Sequence, residues 1–401
     1  MKLAFYFSLA CTAECGHCIT FAGPGVKRKM TLAEARAVIE QAAATPQLDG
    51  IVFTGGENFI HRRELLELIR LCRVHDLATE IISNASWATS VAKASQMLKP
   101  FKAAGLNVLR LSIDQFHLPF IPPKRVHAAL EAMRELALVL HVTCVVTHDN
   151  IVHKDDRLDD TMAALGFDLA SWTTADAERL AGALRTHWPA DLLTLVDSYQ
   201  FRREDLFAID DVIRLMSMPS AQAHRLADWY VEHKVMLQYQ TLATEGRGRE
   251  LIESVPSKHV DEIPEVVCNS VGYTPTVNPE GDVFPCCSSW VNFARQRIGN
   301  VSQESLATLM GRIADDPIAK FMHYQGPRTL VKYLRDKGHD LPDGYSHPCH
   351  LCGVALEHFS RPELLAHIEA FYREHPWRLI VTNQGLDPLI TAADSFLERA
   401  S

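Results

Sequence analysis

The sequence lacks the features that place a chain in a membrane or on nucleic acid. No apolar stretch in its 401 residues approaches the roughly 18–20 residues that a transmembrane helix needs. It has no long lysine and arginine block, and its net charge is −9, so a nucleic-acid backbone is not expected as the main partner. Internal repeats and low-complexity regions are absent too. A globular enzyme of ordinary composition, 47% apolar and 22% charged, is therefore the expected class.

The N-terminus also lacks a complete secretion signal. One lysine precedes a short apolar run, "LAFYFSLA", but no small-residue cleavage site follows it. The run leads directly into cysteines and His17, so we interpret it as a buried strand. The expected location is then cytoplasmic. Because thiols stay reduced there, the ten cysteines indicate metal binding or chemistry rather than disulfides.

The first half of the chain alternates short β-rich runs with amphipathic helical patterns. The predicted strands span 2–9, 50–55, 78–84, 106–114 and 140–148. The predicted helices span about 31–44, 61–76, 90–104 and 124–138. Thr31, with Glu34 three residues later, predicts a capped start for the first helix. Such alternation predicts an α/β fold with parallel strands, either a barrel or an open doubly wound sheet.

Beyond residue 150 the alternation ends. Residues 151–230 are predicted to form a helical insertion or lid before a sixth strand at 234–242. Further on, "YTPTVNPEGDVFPCC" predicts a β-hairpin around "NPEG", followed by helices at about 303–313 and 316–337. The expected domains span 1–250, 251–360 and, as a helical tail, 361–401.

Cys11, Cys15 and Cys18 form a C-x3-C-x2-C pattern in the loop after the first strand. Three thiolates from one loop suit three corners of an iron–sulfur cube, leaving the fourth iron without a protein ligand. An open coordination site is what catalysis needs. A zinc site completed by a distant residue, or thiols without a metal, are the alternatives. His17 is a poor fourth ligand because its neighbour Cys18 makes simultaneous binding awkward.

The cysteine loop, together with "TGGE" (54–57) at the end of the second strand, resembles the radical S-adenosylmethionine (SAM) superfamily over residues 1 to about 250. The resemblance implies a partial (β/α)6 TIM-like barrel, a [4Fe–4S] cluster on the three cysteines and SAM on the open iron. It also implies that Gly55, Gly56 and Glu57 meet the SAM amino group. The chemistry agrees, because glycines allow close backbone approach and a carboxylate suits an ammonium group.

Polar residues at further strand ends match positions near SAM in that superfamily. Asn84 closes the third strand in "ISN", and Ser112, in "LSID", resembles the residue that touches the SAM ribose. The carboxyl ends of barrel strands surround one mouth, although ordinary polar strand ends remain the alternative for both residues. Arg247, after the sixth strand, is a candidate for contact with SAM or substrate.

Asp114 and His117, in "DQFHLPF", extend the end of the fourth strand and are the catalytic candidates. A carboxylate and an imidazole beside a radical site can accept a proton and anchor a substrate. The alternative is a hydrogen-bonded loop network without a catalytic role.

A second group of cysteines lies in the C-terminal part, where the expected ligands are Cys268, Cys286, Cys349 and Cys352. Four thiolates can close a tetrahedral zinc site or fully ligate a [4Fe–4S] cluster, and composition does not separate the two. We expect Cys287 to pack, although replacing Cys286 as ligand or facing the substrate remain open.

The segment "CNSVGYTPTVNPEGDVFPCC…IGN" resembles the SPASM/twitch extension of radical SAM enzymes. The resemblance implies a small α+β domain with an auxiliary [4Fe–4S] cluster, most simply an electron conduit. His358 stands where the full SPASM pattern has its next cysteine, and no cysteine follows Cys352. This departure favours the shorter twitch form with one auxiliary cluster.

The resemblance predicts a radical SAM oxidoreductase that forms a 5′-deoxyadenosyl radical and takes a hydrogen atom from its substrate. A flavodoxin- or ferredoxin-type protein is the expected electron donor. The expected reaction oxidises or cross-links a ribosomal peptide, and a small-molecule dehydrogenase acting on aminocyclitols is the alternative. Because the chain begins at its first barrel strand, no N-terminal peptide-recognition domain is expected. The alternative outside the enzymes is a non-catalytic protein in which both cysteine groups bind structural zinc.

Overall fold

The computed structural model describes residues 1–146, 236–254 and 257–378, with gaps at 113, 115, 242–244, 264–267, 269 and 377. The insertion predicted at 151–230 lies outside the described residues. So does the end of the predicted helical tail, from residue 379 onward.

Six parallel strands form the larger part of one sheet. They are β1 (Lys2–Ser8), β2 (Gly50–Gly55), β3 (Ala78–Ser83), β4 (Val108–Ser112), β5 (Val139–Val146) and β6 (Met236–Thr241). Each strand pairs in parallel with the next one along the chain. A strand order that follows the sequence is that of a barrel, whereas a doubly wound sheet reverses direction at a switch point. The partial TIM-like barrel is therefore confirmed.

Four helices follow the first four strands: α1 (Leu32–Ala43), α2 (Arg62–Val74), α3 (Val91–Ala104) and α4 (Pro123–Glu135). The predicted capping box at the start of α1 is confirmed, because Thr31 accepts from the Glu34 amide and Glu34 accepts from the Thr31 amide. On β1, Leu3, Phe5 and Phe7 are fully buried in the core under the helices. Alternate residues such as Tyr6 therefore point to the opposite face, the interior of the barrel.

Three short strands continue the same sheet beyond β1: β7 (Thr276–Val277), β8 (Asp282–Phe284) and β9 (Gly299–Asn300). β7 runs parallel to β1, while β8 and β9 are antiparallel to their neighbours. The hairpin predicted around "NPEG" is confirmed. Its turn is closed by the Asn278 side chain, which accepts from the amides of Glu280 and Asp282, and by Gly281 with φ +81°.

The helices of the C-terminal part are α5 (Leu306–Asp315), α6 (Pro317–Tyr324), α7 (Gly326–Asp336), α8 (Pro348–His358) and α9 (Arg361–Glu374). The single helix predicted at 316–337 was wrong, since α6 and α7 are separate. Gly326 has φ +81°, and Pro327 has no amide hydrogen to donate, so the helix cannot continue through them. None of the helices within the described residues is long and apolar enough to cross a bilayer.

Candidate active site and cysteine centres

Cys11, Cys15 and Cys18 lie together in the loop after β1. The Cys18 amide donates to the Cys15 carbonyl at 3.1 Å, which curls the loop. Burial, with smaller contributions from Glu57 and the two other thiols, raises the pKa of Cys11 to about 12. Metal binding displaces the thiol proton, so one buried and two half-buried thiols that feel one another's charge are a suitable donor set for three corners of a [4Fe–4S] cluster.

The Gly55–Gly56 pair packs against the backbone at the end of β1. Gly55 has φ +100°, the Gly56 amide donates to the Ser8 carbonyl at 2.8 Å, and the Glu57 amide donates to the Ala10 carbonyl at 2.8 Å. A Cβ on Gly56 would lie 2.2 Å from the Ala10 carbonyl oxygen. The structure thus gives these glycines a role that sequence reasoning missed, namely close contact with the cysteine loop itself.

The Glu57 carboxylate is held in a buried cage and is 2% exposed. It accepts from the Asn84 amide at 2.8 Å, from the Phe59 amide at 3.1 Å and from the Ser83 hydroxyl at 3.0 and 3.1 Å. Burial raises the pKa of Glu57 to about 7 in spite of these bonds. A carboxylate penalised by burial is stabilised by an arriving cation, so its chemistry suits an ammonium group.

Asn84 joins the Glu57 cage to the cysteine loop. Its side-chain amide donates to the Thr12 hydroxyl at 3.1 Å and to the Cys11 sulfur at 3.6 Å. Sequence reasoning missed Ser83 and Thr12, although each is the immediate neighbour of a residue that it did predict. The predicted ammonium-binding carboxylate and the predicted cluster loop are therefore connected by one short run of hydrogen bonds.

A cavity of about 420 Å³ opens beside this network. Its walls are Thr12, Glu57, Phe59, Ile60, Ser86, Trp87, Phe120, Ile121 and Arg125. A carboxylate, a guanidinium group and aromatic surfaces in one cavity suit a ligand such as SAM, which carries an ammonium group, a carboxylate and a planar base. Another hollow, of about 400 Å³, lies between α2 and α3 and contains none of the predicted site residues.

Asp114 and His117 form a compact network with His17. The His117 Nδ1 lies 2.8 Å from Asp114, and the His17 Nε2 lies 3.6 Å from it. Burial opposes protonation of His117, but the Asp114 carboxylate raises the pKa of His117 well above its ordinary value. Burial lowers the pKa of His17 to about 4. Asp114 is 1% exposed and also binds two amides of its own loop, so these residues make the network that the alternative interpretation described.

This network reaches the cysteine loop. Ligand atoms of Cys15, His17 and His117 lie within 4.8 Å of one another. Sequence reasoning did not anticipate that His17 and His117 would meet beside Cys15. The catalytic roles of Asp114 and His117 stay predictions.

Arg247 binds the cysteine loop rather than projecting away from it. Its Nε donates to the Cys15 carbonyl at 3.0 Å and its Nη2 to the Ala22 carbonyl at 2.5 Å, while its amide donates to the Cys18 carbonyl at 3.0 Å. These bonds support the loop, and the contact with SAM or substrate stays a prediction. Ser112 ends β4 half-buried, and its ribose contact also stays a prediction.

The second cysteine group is also brought together. Cys349 lies in the first turn of α8, where the helix dipole favours thiolates, and Cys352 begins the second turn. Burial, followed by the nearby Cys268 thiol, raises the pKa of Cys349 to about 12. Cys286 is 5% exposed, and its sulfur accepts from the Ser288 amide at 3.4 Å. Four buried or half-buried thiols from a loop, a hairpin end and a helix are a suitable donor set for a fully ligated cluster.

Cys287 packs, as expected, in a small apolar cluster with Tyr6. A hydrogen bond with the Cys286 thiol lowers the pKa of Cys287, and Arg110 also lowers it. Glu245, which sequence reasoning missed, is 1% exposed near Cys349 and Cys352, and burial raises the pKa of Glu245 to about 8. A Cβ on Gly353 would lie 2.1 Å from the Glu245 carboxylate.

Two family models match this chain. The radical SAM superfamily model matches residues 5–164, and the iron–sulfur cluster-binding SPASM domain model matches residues 268–324. The chain contains a radical SAM domain and a SPASM iron–sulfur domain. The two domains imply SAM and two [4Fe–4S] clusters as cofactors, in agreement with the two cysteine groups described above.

A curated relative and solved structures are similar to this radical SAM protein. The "Putative peptide biosynthesis protein YydG" of Bacillus subtilis (strain 168) is 26% identical over 154 residues, which are 38% of this chain and about half (48%) of that protein's length. BtrN in complex with AdoMet and 2-DOIA shares 10% identity over 81% of this chain and 88% of its own, with a TM-score of 0.40. Methylornithine synthase (PylB) shares 13% identity over 59% and 70%, with a TM-score of 0.29.

Proposed function

We propose that this radical SAM enzyme takes a hydrogen atom from a peptide substrate and leaves the peptide oxidised or cross-linked. The observation that carries the proposal is the hydrogen-bonded run from the Cys11 sulfur through Asn84 to the Glu57 carboxylate. In this run the three-thiol loop lies beside a buried carboxylate, which we assign to the SAM ammonium group. The amino acid part of SAM would bind the open iron of the cluster, so the carboxylate that holds its ammonium group has to lie beside the thiol loop.

When bound, the three-thiolate [4Fe–4S] cluster supplies the electron that splits SAM into methionine and a 5′-deoxyadenosyl radical. Around it, Glu57 holds the ammonium group, and the Ser83 hydroxyl and Asn84 amide fix the direction of its carboxylate. The aromatic walls of the cavity, Phe59 and Trp87, exclude water from the reactive intermediate. Arg247 keeps the loop carbonyls in place.

The second thiol group favours a net oxidation. When held by Cys268, Cys286, Cys349 and Cys352, an auxiliary [4Fe–4S] cluster supplies an electron acceptor close to the barrel. Because four cysteines ligate its irons, this cluster has no open position that the substrate must fill. In this proposal the Asp114 carboxylate accepts a proton, and His117, whose pKa is raised, anchors a polar group of the peptide.

A peptide is proposed as the substrate because the relative YydG is named as a putative peptide biosynthesis protein. A flavodoxin- or ferredoxin-type protein is proposed as the physiological electron donor. In vitro, dithionite takes the donor's place, so the chemistry can be tested without it.

The activity is tested by anaerobic incubation of the iron-loaded protein with SAM and dithionite, followed by quantification of 5′-deoxyadenosine. We expect about eight irons per chain and SAM cleavage. Joint replacement of Cys11, Cys15 and Cys18 by Ala should leave about four irons and abolish cleavage, whereas Cys72→Ala, a buried thiol in α2, should not. Unchanged cleavage by the triple variant, or about two zinc ions in place of iron, would overturn the assignment.

The substrate is tested with short peptides encoded beside the gene. A substrate peptide should stimulate the formation of 5′-deoxyadenosine. A peptide with deuterium at the reacting carbon should transfer that deuterium to 5′-deoxyadenosine, and the mass of the peptide product should be lower by two hydrogens. If an aminocyclitol is oxidised while none of these peptides reacts, the peptide assignment is wrong and the radical SAM assignment stands.

A further inference from the structure

Tyr6 on β1 lies near cysteines of both groups. Its side chain points into the barrel and is buried, with the residue 4% exposed. The ring belongs to a small apolar cluster against which Cys11 and Cys18 of the first centre pack. Cys287, the neighbour of the predicted ligand Cys286, packs against the same cluster. Tyr6 therefore lies close to cysteines of both groups.

The phenol of Tyr6 begins a short hydrogen-bond relay to an auxiliary-site sulfur. Its O–H donates to the Cys287 carbonyl at 2.6 Å. That carbonyl shares one peptide unit with the Ser288 N–H, which donates to the Cys286 sulfur at 3.4 Å. Resonance couples the two ends of a peptide unit, so a donor on the oxygen makes the N–H more positive and strengthens the bond that it donates.

We propose that Tyr6 is a positioning residue that raises the reduction potential of the auxiliary cluster through this relay. Hydrogen bonds to cluster sulfurs are among the factors that set such potentials. A stronger N–H···S bond stabilises the reduced state, which carries more negative charge on its sulfurs. The inference rests on the auxiliary [4Fe–4S] cluster of the proposed function, and it does not depend on the nature of the substrate.

The potential is measured by redox titration followed by electron paramagnetic resonance. The background is the chain with Cys11, Cys15 and Cys18 replaced by Ala, so that only the auxiliary signal is present. In this background Tyr6→Phe keeps the ring but removes the donor. We expect its one-electron reduction equilibrium constant to fall about threefold, a shift of about 28 mV to more negative potential, since tenfold corresponds to 59 mV.

A second substitution moves the potential the other way. Site-specific replacement of Tyr6 by 3,5-difluorotyrosine gives a more acidic phenol and a stronger donor, so the potential should become more positive. Tyr333→Phe is the matched control, because the Tyr333 phenol donates to Glu374 in α9 and not to the Cys287 carbonyl. Loss of the Tyr333 hydroxyl should therefore leave the reduction potential unchanged. A purely structural role for Tyr6 would change the melting temperature or iron content without these opposite shifts.

The outcomes separate two failures. If the parent chain shows no auxiliary iron signal, the auxiliary cluster of the proposed function is wrong. If the signal is present and neither substitution at Tyr6 moves the potential, or both move it in the same direction, the relay is wrong. Should Tyr6→Phe lose its iron, the fluorinated tyrosine, which keeps every packing contact but two hydrogens, decides the matter alone.

Discussion

Gly56 has no room for a side chain, because the cysteine loop passes directly over it. An added Cβ would lie 2.2 Å from the Ala10 oxygen and 2.8 Å from two backbone carbons. We predict that Gly56→Ala destabilises the fold by about 1–3 kcal/mol and lowers the iron content of the first centre. Gly25→Ala is the control, since nothing lies within 4 Å of its Cβ position. Thermal unfolding and iron analysis check both, and a Gly56→Ala chain with normal iron would contradict this view of the loop.

Glu57 is the other residue of the motif for which the geometry makes a sharp prediction. Glu57→Gln keeps the shape of the side chain and removes the negative charge that faces the cavity. Losing one charge-assisted hydrogen bond costs about 1.5–3 kcal/mol, so the Kd for SAM should rise roughly tenfold to a hundredfold. Calorimetric titration of the iron-loaded protein measures the change. Glu64→Gln, which disturbs only the surface pair with Lys29 and His61, should bind SAM normally.

Arg247 and Arg249 lie in the same short segment but have different partners. Arg247 donates to carbonyls of the cysteine loop, while Arg249 pairs with Glu357 at the surface. We predict that Arg247→Gln speeds loss of iron from the first centre several-fold in air, and that Arg249→Gln does not. If iron is retained equally and only SAM affinity falls, Arg247 acts on SAM as the sequence suggested. The decay of the cluster's visible absorbance distinguishes the two roles.

At the scale of helices, Asp316 joins two elements of the C-terminal part. It accepts from the Ala319 amide at 2.9 Å, which caps α6, and forms an ion pair with Arg361 at the start of α9. Asp316→Ala leaves the Arg361 charge without this partner, so we predict a loss of about 3–5 kcal/mol in the free energy of unfolding. Asp315→Ala, at an exposed carboxylate, should change it by less than about 1 kcal/mol. Denaturant titration compares the two variants, and equal losses would contradict this account.

The helices also show how far periodicity reaches. The apolar spacing across 316–337 is continuous, so it predicted one helix, and only the left-handed backbone at Gly326 makes two. By contrast, Thr31 and Glu34 alone predicted the start of α1, because the two residues that form that cap are only three positions apart in the sequence. Sequence patterns within one or two helical turns therefore predict structure reliably. They do not predict the direction that the chain takes after a helix is interrupted.

Strand β1 belongs to both parts of the described sheet. β1 pairs with β2 of the barrel on one side and with β7 of the SPASM hairpin on the other. Because the two cysteine centres share a sheet, we predict a single cooperative unfolding transition for the iron-loaded chain. Cys15→Ser and Cys349→Ser should each lower the melting temperature of that transition by several degrees. Two calorimetric transitions, each responding to only one of these substitutions, would contradict the prediction.

The sequence by itself determined the alternation of strands and helices, the hairpin and the two groups of thiols, because alternation, turn residues and cysteine spacing are local patterns. It also indicated Glu57 and Asn84 through their places at strand ends. Only the tertiary structure decided between a barrel and a doubly wound sheet, because the two differ in the order of the paired strands. Only the tertiary structure decided that Arg247 would support the cysteine loop 232 positions away, and that Tyr6 would reach the Cys287 carbonyl across 281 positions. Such contacts depend on how the strands lie beside one another, and no spacing within either segment encodes them.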